Sequence, residues 1–286
     1  AEYRRHVFDD FLAEHRAGRT PNPDVLCNRE IKFGVALAHA RRLGATHLAT
    51  GHYARRIDGE AGPELHKARD AAKDQSYFLH RISREQLAAA LFPLGEMTKP
   101  EVRARARAAG LPVHDKKDST GICFIGERPF REFLAQWLPD SPGPVLDEHG
   151  VELARHRGLA FHTLGQRAGL AIGGLRGRAE APWYVARKDA ARNALVVVQG
   201  RDHPLLMAST VATARPHWLV APPALPLRCA AKIRYRQADQ TCELRASPDG
   251  GLQARFDAPQ RAATPGQSAV FYDGERCLGG AVIEPI

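Results

Sequence analysis

The chain has 286 residues, 44% apolar and 26% charged, enough to bury a core and to predict two or three globular domains. No run of about 18 apolar residues occurs, so no membrane span is expected, and Ala1-Glu2-Tyr3-Arg4-Arg5-His6 lacks the apolar stretch of a secretory signal. A cytoplasmic protein is expected. The formal charge of +9 suits a polyanionic partner such as nucleic acid, although an Ala- and Arg-rich composition alone gives the same excess.

Five cysteines, at 27, 123, 229, 242 and 277, form no closely spaced pair, which argues against a zinc knuckle. Their odd number argues against a disulfide framework. Reactive or inert thiols remain, and no metal site is expected.

Residues 1–17 are predicted as a helix with Phe8, Phe11, Leu12 and His15 on one side, ended by Gly18. In Thr20-Pro21-Asn22-Pro23-Asp24-Val25-Leu26-Cys27-Asn28 two prolines flank an asparagine, which predicts a stiff extended or turn segment. That segment would present the Asp24 carboxylate and the Cys27 thiol ahead of a helix over about 30–43, with Ile31, Val35, Ala38 and Arg42 sharing a face. A helix start favours thiolate over thiol. Cys27 is therefore either a reactive group or a small buried residue behind a turn.

Thr46 to Thr50 is predicted as a short buried strand, with Gly51-His52-Tyr53-Ala54 at its carboxyl end, where open α/β sheets collect ligands. Gly51 lets the backbone approach one; His52 is either a ligand-side group or a polar strand end. Glu64 to Ala68 forms another expected strand, and Lys73-Asp74-Gln75-Ser76 the entry to a helix capped by Asp74 or Ser76. Ser83 to Leu91 is expected to be helical. Thr98-Lys99-Pro100-Glu101 is a capping box with proline in the first turn, opening a helix that Gly110 ends.

The stretch Asp118-Ser119-Thr120-Gly121-Ile122-Cys123-Phe124-Ile125-Gly126 sets a second cysteine in a glycine-bounded turn. Pro129 to Leu138 is predicted as an amphipathic helix burying Phe130, Phe133, Leu134 and Trp137. Composition shifts divide the chain into 1–138, 139–206 and 207–286. The middle part is rich in Pro and Gly, and its His162–Leu170 stretch matches neither a dinucleotide nor a Walker pattern.

In the last part Leu227, Cys229, Ala231, Ile233 and Tyr235 alternate with Arg228, Ala230, Lys232, Arg234 and Arg236. Period two places three arginines and a lysine on one face, suited to a phosphate backbone or simply to solvent. Turns at Ser247–Gly251 and Tyr272–Glu275 complete an expected small antiparallel barrel with Cys229, Cys242 and Cys277 in its core.

Seven motifs occur in order: Asn22-Pro23-Asp24 with Cys27-Asn28, Gly51 to Ala54, Lys73 to Leu79, Phe92-Pro93-Leu94-Gly95, Asp118 to Gly126, Gly165 to Leu170, and Thr264-Pro265-Gly266-Gln267. Along essentially its whole length the chain thus resembles the bacterial tRNA-specific 2-thiouridylase family. The resemblance implies an α/β fold, with an ATP-pyrophosphatase-type (adenine nucleotide alpha hydrolase-like) domain, a small central domain and a C-terminal antiparallel β-barrel. It implies thiolation at C2 of the wobble uridine in tRNAs for Lys, Glu and Gln. ATP and Mg²⁺ are the implied cofactors, and a cysteine desulfurase or sulfur-relay protein the implied persulfide donor.

By motif, Cys123 matches the persulfide-bearing cysteine, Cys27 the partner nucleophile and Asp24 the acid/base. Asn22-Pro23-Asp24 matches the segment touching the target base, and Gly51 a nucleotide contact. His52, Lys73, Asp74, Gln75, Arg234, Tyr235 and Gln267 match positions facing the tRNA anticodon stem-loop. Sulfur release by disulfide exchange needs Cys27 and Cys123 bridgeable, with α-carbons within about 7 Å.

The family also opens with a strand and a Ser-Gly-Gly-Val-Asp-Ser-type loop that grips pyrophosphate through backbone amides. The sequence has no such loop, so the first domain is expected to be N-terminally incomplete, starting about one βαβ unit late. The alternative is a non-catalytic tRNA-binding fragment. A different ATP-pyrophosphatase, of the argininosuccinate synthase type, has no use for two loop cysteines or a basic barrel face.

Overall fold

Proline is tolerated in the first turn of a helix because the N–H it lacks would be unpaired there anyway. In the computed structural model, which describes residues 1–116, 130–170, 172 and 180–285, Pro23 uses that allowance. The expected stiff segment is a helix start: Asn22 caps it by accepting from the Asp24 N–H at 3.2 Å. The helix is α over Pro23–Leu26, π-wound over Cys27–Ala36 and α again over Leu37–Arg42. Asp24 and Cys27 therefore lie inside the helix rather than in a loop before it. The i→i+5 winding also shifts the buried face. Phe33 and Leu37 turn inward, while Val35 is 41% exposed and Ala38 faces solvent, against the expected grouping.

The preceding helical stretch is π-wound over Arg4–Phe8 and α over Asp9–Arg16, and Gly18 ends it at φ +76°. Phe8, Phe11 and Leu12 pack against Phe133 and Leu134 of the short Phe130–Ala135 helix, against Leu138 just beyond it, and against Phe161. Trp137, expected inside, is 40% exposed, in a T-shaped contact with Phe8, ring centroids 5.0 Å apart, and with the Arg4 guanidinium above it. The Thr98–Glu101 capping box is formed as expected, opening the Lys99–Ala108 helix. A second box joins Ser83 and Gln86, opening the Arg84–Ala88 helix.

The strands come in three sets. The first comprises β1 (Leu48–Ala49), the hairpin of β2 (Ala54–Gly59) and β3 (Gly62–Lys67), and β4 (Ala90–Leu91). β1 and β4 pair in parallel, and Leu91 is in strand where helix was expected. The second set comprises β5 (Gly143–Leu146), β6 (Glu152–His156), β7 (Trp183–Asp189) and β8 (Ala194–Gln199), in the order β6-β5-β8-β7. Val145, Val185, Leu195 and Val197 form its core.

The third set comprises β9 (Met207–Thr213), β10 (His217–Trp218), β11 (Leu227–Lys232), β12 (Gln240–Ala246), β13 (Leu252–Arg261), β14 (Ser268–Asp273) and β15 (Arg276–Val282). With the first hairpin these form a nine-stranded sheet ordered β2-β3-β15-β14-β11-β12-β13-β9, with β10 beside β15.

Among the described residues this sheet is not the closed barrel expected. β3 takes one end of the outer edge of β15, with His66 opposite Arg276, and β10 takes the other. That leaves β9 a single bridge, Thr213 to Ile283, flanked by Ala214 N–H to Val282 O at 2.8 Å and Glu284 N–H to Ala212 O at 2.9 Å. The hairpin brings its own core with it. Phe33, Leu65 and Tyr77 are buried together with Val270, Tyr272 and Cys277 of the last two strands, each large apolar side chain contributing about 1.5–3 kcal/mol. No helix among the described residues is long and apolar enough to cross a membrane.

Candidate active site and nucleic-acid interface

The helix that carries Asn22, Asp24 and Cys27 is held at its entry by the far end of the chain. The Thr20 N–H donates to Pro265 O at 2.9 Å, and Gln267 Nε2 donates to Thr20 O at 2.7 Å. Gly266 lies between them at φ +91°, where a Cβ would come within 2.9–3.0 Å of the Thr20 backbone. Only glycine fits so close an approach in that conformation. A cavity of about 330 Å³ opens beside the clasp, lined by Asn22, Val25, Leu26, Arg81, Gly266 and Ser268 among others.

Further along the helix, Cys27 is fully buried at 0% exposure. Asp24 precedes it by three positions, so the two side chains share a helix face. The Asn28 amide donates to Phe78 O at 3.0 Å and ties the helix to the Ser76–Leu79 turn. Lys32 sets its ammonium 3.4 Å from His52 Nε2, and His52 Nδ1 meets Thr50 Oγ1 at 2.8 Å. Burial first, and the Lys32 charge second, lower the His52 pKa to about 3. The ring is neutral, and its contacts fit the tautomer that donates to Thr50 and accepts from Lys32.

Gly51, at the carboxyl end of β1, is exposed, and the nearest atom to an added Cβ is Leu94 Cδ1 at 3.9 Å. The backbone there is open to a nucleotide. The described residues contain no group of three or more His, Cys, Asp or Glu side chains placed to hold a metal ion.

The Lys73-Asp74-Gln75 run separates into different roles. Asp74 is buried; it accepts from the Ala68 and Ser76 N–H groups at 3.1 Å and from Ser76 Oγ at 3.0 Å. Gln75 exchanges two bonds with Tyr53, donating its N–H to Tyr53 O at 2.7 Å and accepting the Tyr53 N–H on Oε1 at 2.9 Å. Lys73 lines a cleft of about 710 Å³ together with Lys67, Lys232, Tyr235, Arg236 and Asp239. Tyr235 is packed on Phe78, ring centroids 4.3 Å apart.

Three of the four charges expected on the basic face of β11, those of Arg228, Lys232 and Arg234, are spent within the protein. Arg228 forms a two-pronged pair with Asp257 at 2.7 and 2.8 Å. Lys232 lies 3.5 Å from Asp74 and 3.7 Å from Asp239. Arg234 gives Nη2 to Leu164 O at 2.8 Å, Ala262 O at 3.0 Å and Thr264 Oγ1 at 3.1 Å. Period two tells which residues share a face, not what stands across from them. Cys242 and Cys277 are buried, and Cys229 is half-buried with its sulfur 3.9 Å from that of Cys242. The second cysteine loop, Asp118 to Gly126 with Cys123, lies outside the described residues.

Three family models match in succession. They are described as the tRNA methyl transferase HUP domain (residues 1–127), the tRNA methyl transferase PRC-barrel domain (131–199) and the aminomethyltransferase beta-barrel domain (208–283). Over 286 residues the chain is 58% identical to the tRNA-specific 2-thiouridylase MnmA of Pseudomonas paraeruginosa, spanning 99% of this chain and 76% of that protein. Over 283 residues it is 56% identical to the tRNA-specific 2-thiouridylase MnmA of Xanthomonas axonopodis pv. citri, spanning 99% and 75%.

Proposed function

The chain belongs to the tRNA-specific 2-thiouridylase family, and from that premise we propose that it replaces the C2 oxygen of the wobble uridine of tRNAs for Lys, Glu and Gln with sulfur. The observation that carries this reading is the likeness, over 99% of the chain, to proteins that bear that name.

ATP, with Mg²⁺, supplies the activation that makes the C2 oxygen a leaving group, and Gly51 is the nucleotide contact. Cys123, loaded as a persulfide by a cysteine desulfurase or relay protein, bonds its terminal sulfur to C2 as the activated oxygen departs. The Cys27 thiolate then bonds to the Cys123 sulfur. The bond from Cys123 to the transferred sulfur breaks, and its electron pair stays with the thiouridine. A cellular thiol afterwards reduces the Cys27–Cys123 disulfide. Asp24, one turn before Cys27, carries the proton, and Asn22-Pro23-Asp24 faces the uridine, which an anticodon loop can splay out. Lys73 and Tyr235 lie on the RNA side of the cleft. Asp74, Gln75, His52, Arg234 and Gln267 shape that surface through the bonds described above.

The test is incubation of the chain with tRNA, ATP, Mg²⁺ and a persulfide source, followed by digestion to nucleosides and mass measurement. That readout also separates oxygen-to-sulfur exchange from an added methyl group. The expected result is 2-thiouridine with the native chain and none with Cys123→Ser or Cys27→Ser, while both variants still bind tRNA. Thiolation by Cys123→Ser would overturn the assignment.

A further inference from the structure

We propose that Cys229 and Cys242 are a second redox-active thiol pair, which a small disulfide of the glutathione type oxidises to a cross-strand disulfide between β11 and β12. The pair is separate from Cys27 and Cys123, and the inference does not rest on the thiolation reading above.

Strand register brings the two sulfurs together. Cys229 of β11 stands directly opposite Cys242 of β12, 13 positions along the chain. Residues so opposed in an antiparallel pair have α-carbons about 4.5 or 5.5 Å apart, inside the roughly 4.4–6.8 Å that a disulfide spans. Both side chains face the core of the last sheet, and their sulfurs lie 3.9 Å apart. A bond between them needs little more than a turn of each side chain. Cys277 has no such opportunity. It is buried in the other core, with Tyr77, Val270 and Tyr272, and burial pushes its thiol up to about 12.

Burial and proton sharing give the two thiols different parts. Cys242 is buried and Cys229 is half-buried, so a small reagent meets Cys229 first. The Cys229 S–H holds Cys242 below the usual thiol range, the Arg228 guanidinium acts in the same direction, and Cys229 is raised in exchange. The pair therefore loses its first proton more readily than two separate buried thiols would, and the proton that remains is shared. When that proton moves to Cys242, the charge stands on the sulfur that the reagent reaches.

The exchange runs in two steps. The Cys229 thiolate attacks one sulfur of the small disulfide, whose S–S bond breaks. The electron pair leaves with the other half, which takes up the proton that the pair had lost. Cys242 then releases its own proton and bonds to the Cys229 sulfur, and the second half departs with the electron pair of the mixed disulfide and takes that proton. Two protein thiols are oxidised, and one small disulfide is reduced to two thiols.

The full chain is incubated with oxidised glutathione, its remaining thiols are blocked with N-ethylmaleimide under unfolding conditions, and the unreduced protein is digested with trypsin. Cleavage after Arg228, Lys232, Arg236 and Arg245 puts the two cysteines on separate peptides, 229–232 and 237–245. The expected product is one linked species, lighter by two hydrogens than the two peptides together and released by dithiothreitol, with Cys277 recovered as a blocked thiol. Cys242→Ala should stop after the first step and retain glutathione on Cys229, and Cys229→Ser should leave Cys242 as a blocked thiol. The native chain carries the decision, whatever the variants do to the fold. Recovery of both its cysteines as blocked thiols overturns the proposal. So does glutathione that stays on Cys229 of the native chain without closure, and so does a link that forms only when the oxidant is added to protein unfolded in urea.

Discussion

Gln267 and Thr20 are 247 positions apart, yet the side-chain amide of the first donates to the carbonyl of the second at 2.7 Å. The bond closes the turn that begins at Thr264 over the residue two places before Asn22, so the entry to the cysteine helix is fixed from the turn that leads into β14. Gln267→Ala should cost about 1 kcal/mol, the worth of one ordinary hydrogen bond. Gly266→Ala should cost about 1–3 kcal/mol because it adds a clash to a left-handed backbone. Urea unfolding gives both values, and amide exchange at Asp24 and Val25 should quicken in each variant. Unchanged exchange would show that the entry is held by something else.

Asn22 has two candidate roles that one pair of substitutions separates. As a helix cap it is replaceable by Asp or Ser with little loss, whereas Ala should cost about 1 kcal/mol. As the group facing the uridine it is not replaceable by Asp, which accepts hydrogen bonds but cannot donate them. Asn22→Asp is therefore expected to keep its melting temperature and lose thiolation. If Asn22→Asp thiolates at the native rate, the cap is all that Asn22 provides.

Arg234→Met is expected to destabilise the fold by about 2–3 kcal/mol. It takes the guanidinium donor from Leu164 O in a half-buried setting, leaves Ala262 O with Thr264 Oγ1 alone, and removes one tie between the central segment and the last sheet. Calorimetry tests this directly. A variant as stable as the native chain would mean that water replaces the guanidinium without cost.

Acid should weaken the protein well before its carboxylates titrate. Burial is the leading cause that lowers the pKa of His15 and His162 to about 4 and of His52 and His80 to about 3. The unfolded chain takes up these protons near pH 6.5, so between that pH and the folded values it binds more protons than the native state. Stability is fully present above about pH 6.5 and falls as pH drops below it, by about 1.4 kcal/mol per unit for each histidine. Urea titrations at pH 7.5, 6.5 and 5.5 should show the midpoint steady over the first interval and falling over the second. A flat profile would contradict the burial of these rings.

What could be read from sequence, and what could not, follows from the range of each signal. The Thr98–Glu101 box and the stops at Gly18 and Gly110 are local, and they appear where expected. Pro21-Asn22-Pro23 points to an extended or turn segment because proline is excluded from a helix interior; the place of Pro23 in the first turn reverses the sign. Trp137 has the spacing of a buried residue, but its ring meets that of Phe8 in a T-shaped contact with Arg4 above it, an outer position that periodicity along one short helix does not show. The arginine face of β11 was the right face with the wrong availability, because Asp257, Asp74 and Leu164 come from distant segments. The missing barrel closure has the same origin: the competitor for the edge of β15 is a hairpin from the beginning of the chain.

That shared edge has a consequence for how the protein comes into being on the ribosome. The β2–β3 hairpin is translated well before the strand it lies against, and Lys67 N–H waits for Glu275 O. Until then the nascent hairpin leaves Leu65 without the neighbours that cover it. Pairing across so long a separation is slow to form, so the growing chain is exposed to chaperones and to mispairing throughout that interval.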